Sequence, residues 1–311
     1  MTAATPSSAA PQNYLGGIAL RLLAMLSLSL MFVLVKLIAE TGVHVVESLF
    51  WRQAVVIPFV FAWAVSHGGV ASLKTQRIGA HARRAMMGLA GMCCNFGGMI
   101  FLPMAEATTI NLSVPIFAVI FAAVLLGERT GVQRWSAVIV GFIGVLVVLD
   151  PSTIFAGGFS GDHGIGTLIA LSGAIMTALI TIAVRDLGRT ENSATIVFWF
   201  SLLSMVPLGI ALPFFITPHD SYEWLLLLGL GVSGAVVQMS LTGALRLAPV
   251  AVVIPMDYSA LLWSIACGWF FFGTFPAETT WIGAPLIIAS GLFIAWREHR
   301  LHIERTKDIT A

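Results

Sequence analysis

The chain has 311 residues, 58% of them hydrophobic and only 10% charged, with a net charge of +1 and a mean hydropathy of +0.94. Soluble domains carry about 25% charged residues, so a water-soluble fold of this size is excluded, as are disordered and disulfide-stapled classes. The near-neutral balance offers no field for nucleic acid. Cys93, Cys94 and Cys267 all lie in apolar stretches and read as small packing residues, not a redox or metal site.

Residues 1–14 are rich in Ala, Ser, Thr and Pro and carry no charge; they read as a disordered tail before a retained helix. A spanning helix needs roughly 20 apolar residues. Ten such stretches follow: Leu15–Ala39, Val46–Ser66, Ala85–Pro103, Ala107–Leu126, Arg134–Leu149, Gly164–Val184, Ser193–Phe214, Glu223–Leu245, Pro249–Phe272 and Trp281–Trp296. Short connections suit antiparallel neighbours in a bundle. The expected fold is an all-α membrane protein of ten transmembrane helices.

Basic residues set the orientation. Thirteen of the 16 Lys and Arg residues lie in alternate loops and in the C-terminal tail, residues 297–311. The opposite loops, around 41–45, 104–106, 151–163, 216–222 and 274–280, contain none. Both termini are therefore expected to be cytoplasmic.

The chain also resembles itself at a spacing of about 145 residues. Phe50-Trp51 matches Phe198-Trp199, Lys36 matches Arg185, Asn95 matches Gln238, Ala105 matches Ala248, Gly127 matches Gly273, and Trp135 matches Trp281. Each unit holds five helices. An odd number inverts the second unit, so residues 15–150 and 164–296 read as inverted repeats, an architecture of secondary transporters.

Two stretches carry a family resemblance. One is Leu125-Leu126-Gly127-Glu128-Arg129, followed by Trp135 and the Gly141/Gly144 helix. The other is Ala248-Pro249, Pro255-Met256-Asp257-Tyr258, Leu261-Leu262-Trp263, and Gly283 through Gly291 to Arg297-Glu298. Together they resemble the EamA-type drug/metabolite transporters, in a branch that includes permeases for riboflavin and S-adenosylmethionine. The resemblance implies a central cavity opened alternately to each side. The second stretch departs from the first in having Gly273-Thr274 where the first has Gly127-Glu128.

Ionisable groups within spans are costly and point to function. Arg52 suits a bidentate hold on a carboxylate, a phosphate or a ring oxygen, or else a structural pair with Glu47 or Glu106. Lys36 is a second candidate, with Glu40 four residues on as an alternative partner. Arg21 reads as snorkelling to the surface. Asp257 follows Pro255 in the ninth helix, where a lone carboxylate would carry a proton or hold a cation, unless it pairs with Arg246. Asn95 and Gln238 are expected to face one another across the repeat axis, where each amide would bond a heterocycle edge or else tie helices together; Asn111, before Pro115, reads in the same two ways. Trp51 and Tyr258 supply stacking faces.

Gly231-Val232-Ser233-Gly234 has the form used by intramembrane serine proteases, but all seven histidines lie in loops or the tail and none can serve as its base. No phosphate-binding Gly-rich loop precedes a Lys. The resulting expectation is a secondary transporter, not an enzyme, without metal or cofactor. Its partners are the lipid bilayer and a small-molecule substrate, with riboflavin first, then S-adenosylmethionine, an amino acid or an amine. A proton as coupling ion and a homodimer are compatible with it.

Overall fold

A computed structural model describes residues 13–125, 131–149, 161–248 and 250–310. The described residues form ten helices and no strand. These are α1 (Tyr14–Glu40), α2 (Val45–Gly68), α3 (Ile78–Phe101), α4 (Met104–Asn111 and Val114–Leu125), α5 (Val132–Leu149), α6 (Asp162–Leu187), α7 (Ser193–Ala211), α8 (Ser221–Leu247), α9 and α10 (Glu278–Thr310). The ninth comprises Val250–Val253, a 3-10 turn over Ile254–Tyr258, and Ser259–Phe272. Seven helices are long and apolar enough to cross a membrane. Of the rest, α3 opens on the charged run His81, Arg83, Arg84, α5 is short, and the turn divides α9.

Local chemistry explains the ends. Asn13 caps α1 through a 2.9 Å bond from the Gly16 amide, and Asp220 with Glu223 forms a reciprocal capping box on α8. Gly273, at φ 62°, ends α9 in the left-handed conformation open to glycine. The two broken helices share a cause. A proline has no amide hydrogen and crowds the preceding turn, so Pro115 interrupts the fourth helix and Pro255 the ninth. The tenth helix runs past the expected boundary at Trp296 and stays helical through most of the tail. The Gly127-Glu128-Arg129 motif, Pro249 and most of the 151–163 loop lie outside the described residues.

Packing follows a definite pairing. The α1 helix lies along α8, α3 along α6, and α5 along α10; α2 touches α7 and α8, while α4 and α9 meet centrally. Close approach depends on glycine. A Cβ on Gly98 would stand 2.8 Å from the Ala170 Cβ and 2.9 Å from its Cα, so α3 and α6 touch backbone to backbone. At the α5–α10 crossing, a Cβ on Gly144 would come within 2.9 Å of the Gly283 carbonyl.

The surface is the reverse of a soluble protein's. Phe59, Val140, Ile210, Leu225, Phe270 and Ile282 are exposed, whereas Glu47, Arg52, Gln53, Glu106, Ser264 and Thr109 are buried. Such an apolar exterior is solvated by lipid tails. Replacing Gly98 with Val should force α3 and α6 apart. The expected cost is about 1–3 kcal/mol, read as a lower melting temperature in detergent.

Candidate functional site

Five polar groups lie between the helices. The first is at the break in α9, where Arg21 Nε and Nη2 donate to Asp257 Oδ1 and Oδ2 at 2.5 and 2.6 Å. This fork-on-carboxylate geometry joins α1 to α9 and gives Arg21 a partner in place of the snorkelling expected of it. The side chain of Arg246, the other partner considered for Asp257, lies outside the described residues. Next along the turn, the Tyr258 hydroxyl is pressed against Gly291 of α10, where any Cβ would overlap it.

The second group is an amide cluster. Asn111, the last residue before the break in α4, donates through Nδ2 to Asn95 Oδ1 at 2.6 Å. Asn95 Nδ2 donates in turn to Thr177 Oγ1 of α6 at 3.2 Å. The structure thus joins Asn95 and Asn111, but Gln238 stands elsewhere. It lines a small crevice with Val60, Trp63, Val197, Met239 and Thr242, between α2, α7 and α8. Third comes a buried hydroxyl cluster at the centre. Thr108 of α4 and Ser264 of α9 lie 2.7 Å apart, with Ser29 of α1 at 3.5 Å from Ser264.

Arg52 forms the fourth group. It is 5% exposed, donates through Nη1 to Gln53 Oε1 at 2.8 Å, and approaches Met92 Sδ of α3 at 3.8 Å. Neither acid considered for it is its partner. Glu47 Oε1 receives His219 Nε2 at 2.6 Å and Trp51 Nε1 at 3.3 Å, and Glu106 lies 2.9 Å from His163 Nε2. Fifth, Lys36 donates to the Leu102 carbonyl at 2.7 Å and lies 5.4 Å from the Phe272 ring centre, so it caps the open end of α3. Ser233 Oγ is spent on the Leu230 carbonyl at 3.0 Å.

Loops at opposite ends of the bundle are tied in parallel fashion. At one end the α2–α3 loop grips the α6–α7 loop. There Arg77 pairs with Asp186 at 2.6 Å, Thr75 donates to Glu191 at 2.6 Å, and Thr195 donates to the Ser72 carbonyl at 2.6 Å. At the other end the α7–α8 loop grips the start of α2. His219 bridges Glu47 and Glu223, and the His44 and Phe215 rings stack at 4.0 Å. The pairs His219–Glu47 and His163–Glu106 escaped sequence reasoning because each crosses between distant segments. The clue was an acid in the first turn of a spanning helix, Glu47 in α2 and Glu106 in α4.

The EamA-like transporter family model fits residues 15–150 and 164–296. The chain belongs to the EamA-like transporter family. A riboflavin transporter of Vibrio cholerae is 28% identical over 90% of this chain and 95% of its own. An S-adenosylmethionine uptake transporter of Rickettsia prowazekii is 31% identical over 93% and 95%. A solved crystal structure superposes with a TM-score of 0.58 at 19% identity, covering 91% of this chain and 98% of that one, and speaks to the fold alone. This EamA-like protein is accordingly a secondary transporter of small metabolites, not an enzyme, and a multi-pass protein of the bacterial inner membrane.

Two outcomes follow. Breaking one side of the Arg21–Asp257 pair, as Arg21→Gln or Asp257→Asn, should cost about 1.5–3 kcal/mol. Removing both should cost less than the sum, as a double-mutant cycle of melting temperatures would read. The second concerns pH. Burial opposes a charged His219, but hydrogen bonds and charge from Glu47 and Glu223 outweigh it and raise its pKa above the ordinary value. The tie is therefore fully present below about pH 6.5, the ordinary histidine value, and is lost as pH rises through the higher folded value. The stability gap between wild type and His219→Gln should shrink over that rise.

Proposed function

We propose that the protein moves a small organic metabolite by alternating access, with residues 15–150 and 164–296 acting as inverted five-helix repeats around a central site. The pairing of helices carries this reading. Exchanging α1–α5 for α6–α10 turns the α1–α8 contact into α6–α3, and α2–α8 into α7–α3, while leaving α5–α10 and α4–α9 in place. The ties exchange as well: the α2–α3 and α6–α7 loops become the α7–α8 and α1–α2 segments. Broken helices in corresponding positions, here α4 and α9, are the best local pointer to a transporter's site. Asn111 lies at one break and Asp257 at the other. Both termini face the cytoplasm, with the basic loops.

The cargo lies among Arg52, Asn95, Asn111 and Asp257, with Trp51, Tyr258 and Lys36 shaping the approach, while Gln238 keeps to its separate crevice. Riboflavin and S-adenosylmethionine, the cargoes of the two named relatives, are the leading candidates. Asp257 couples transport to protons, because protonation would release Arg21 from its two bonds. The test is counterflow in proteoliposomes with labelled riboflavin and S-adenosylmethionine. Wild type should accumulate one of them; Asp257→Asn should still exchange it and lose pH-driven uptake. A variant that retains pH-driven uptake would remove Asp257 from coupling, and folded wild type without exchange would contradict the cargo class.

A further inference from the structure

We propose that the Arg52 guanidinium receives a carboxylate of the transported molecule, so that the cargo is a metabolite bearing one carboxylate rather than a wholly neutral or purely cationic one. The inference rests on the transporter reading above and narrows its substrate.

Arg52 sits about 11 Å into α2, at 1.5 Å per residue from Val45. It is buried, and no carboxylate lies within ion-pair distance among the described residues. Its Nε has no acceptor, and neither has Gln53 Nε2. Arg52 Nη1 already donates to Gln53 Oε1, which holds the two end groups together while each keeps a buried donor without an acceptor. A buried cation normally has a counter-charge, and a buried donor an acceptor. Here both are missing at one place, and a carboxylate supplies both, as one negative charge on two acceptor oxygens.

The surroundings favour that occupant. Gly234 brings α8 close against the guanidinium; a Cβ there would stand 3.0 Å from Arg52 Nε and 3.4 Å from Nη2, so a larger residue would crowd the donors. On α3, Met92 touches Arg52 and lies three residues from Asn95, so the guanidinium of α2 meets α3 about one turn from the amide cluster. A phosphate dianion would call for a second cation. None of the other buried cations stands beside it: Arg21 is on Asp257, Lys36 on the Leu102 carbonyl, and Arg84, whose Nε and Nη1 also lack acceptors, lies against the face of Phe200 at 3.8 Å, eight residues before Met92 on α3. Asp257 is itself neutralised by Arg21, which weakens the case for a cargo held by positive charge alone.

The test uses full-length protein in proteoliposomes with three labelled probes: S-adenosylmethionine, its decarboxylated analogue, and riboflavin. Wild type is compared with Arg52→Gln, Arg52→Lys and Gly234→Ala, each first shown to be monodisperse and to melt cooperatively. Wild type should exchange S-adenosylmethionine at least about tenfold better than the decarboxylated analogue. Arg52→Gln should bring that ratio close to one, Arg52→Lys should keep part of it, and Gly234→Ala should weaken exchange of the carboxylate probe. A ratio unchanged in folded Arg52→Gln overturns the proposal. So does wild type that moves riboflavin and neither adenosyl probe, an outcome that leaves the transporter reading intact. Chloride-dependent melting lost in Arg52→Gln, with the ratio unchanged, would assign a resident halide instead. No exchange of any probe by folded wild type would overturn the cargo class and this proposal with it.

Discussion

Lipid tails offer no hydrogen-bond partner, so each charged or amide side chain inside this bundle must find one on another helix, and the positions of those partners organise the rest. Arg21 and Asp257 tie α1 to α9, Asn111 and Asn95 tie α4 to α3, and Asn95 reaches Thr177 on α6. Each bond crosses a boundary at which apolar side chains alone would slide. Dispersion and glycine-mediated approach supply adhesion; the polar bonds supply register. The exceptions are correspondingly informative. Arg52 Nε, Gln53 Nε2 and Glu47 Oε2 on α2, and Arg84 Nε and Nη1 with the His81 ring nitrogens on α3, are buried without hydrogen-bond partners.

The breaks in α4 and α9 give the same constraint a second expression. A proline in a span frees backbone groups that lipid cannot satisfy, so it is tolerated only where protein or a polar cavity surrounds it. In the fourth helix the Ser113 hydroxyl takes up the Ile110 carbonyl. In the ninth, the 3-10 turn over Ile254–Tyr258 presents Asp257 toward Arg21. The segments least regular in backbone thus carry Asn111 and Asp257, each bonded to a neighbouring helix.

The ten helices were legible in the sequence because apolar length is a local property, and lipid demands it of every span. The start of α3 was misjudged, since His81, Arg83 and Arg84 look like a loop while their backbone is already helical. Candidate residues were legible as a set, because an ionisable or amide group in a span stands out from its neighbours. Their partners were not. Arg21 and Asp257 are 236 residues apart, and Glu47 and His219 are 172 apart, so no spacing rule joins them. The pairing of Asn95 with Gln238 by repeat position did not foretell contact: equivalent places on α3 and α8 face different neighbours, Thr177 and Asn111 for one, the crevice beside Trp63 for the other.

The ties at the two ends of the bundle make the account mechanical. If the repeats rock about a central site, the grip of Arg77 on Asp186 and that of His219 on Glu47 must strengthen and weaken in opposition. Pulsed electron-paramagnetic distance measurements test this most directly, with spin-label pairs at Gln76 and Arg189 for one end and at Val43 and Thr217 for the other. On adding transported cargo, the account predicts that one distance distribution lengthens while the other shortens. Both ends moving in the same sense, or neither responding to a cargo that is demonstrably exchanged, would contradict it.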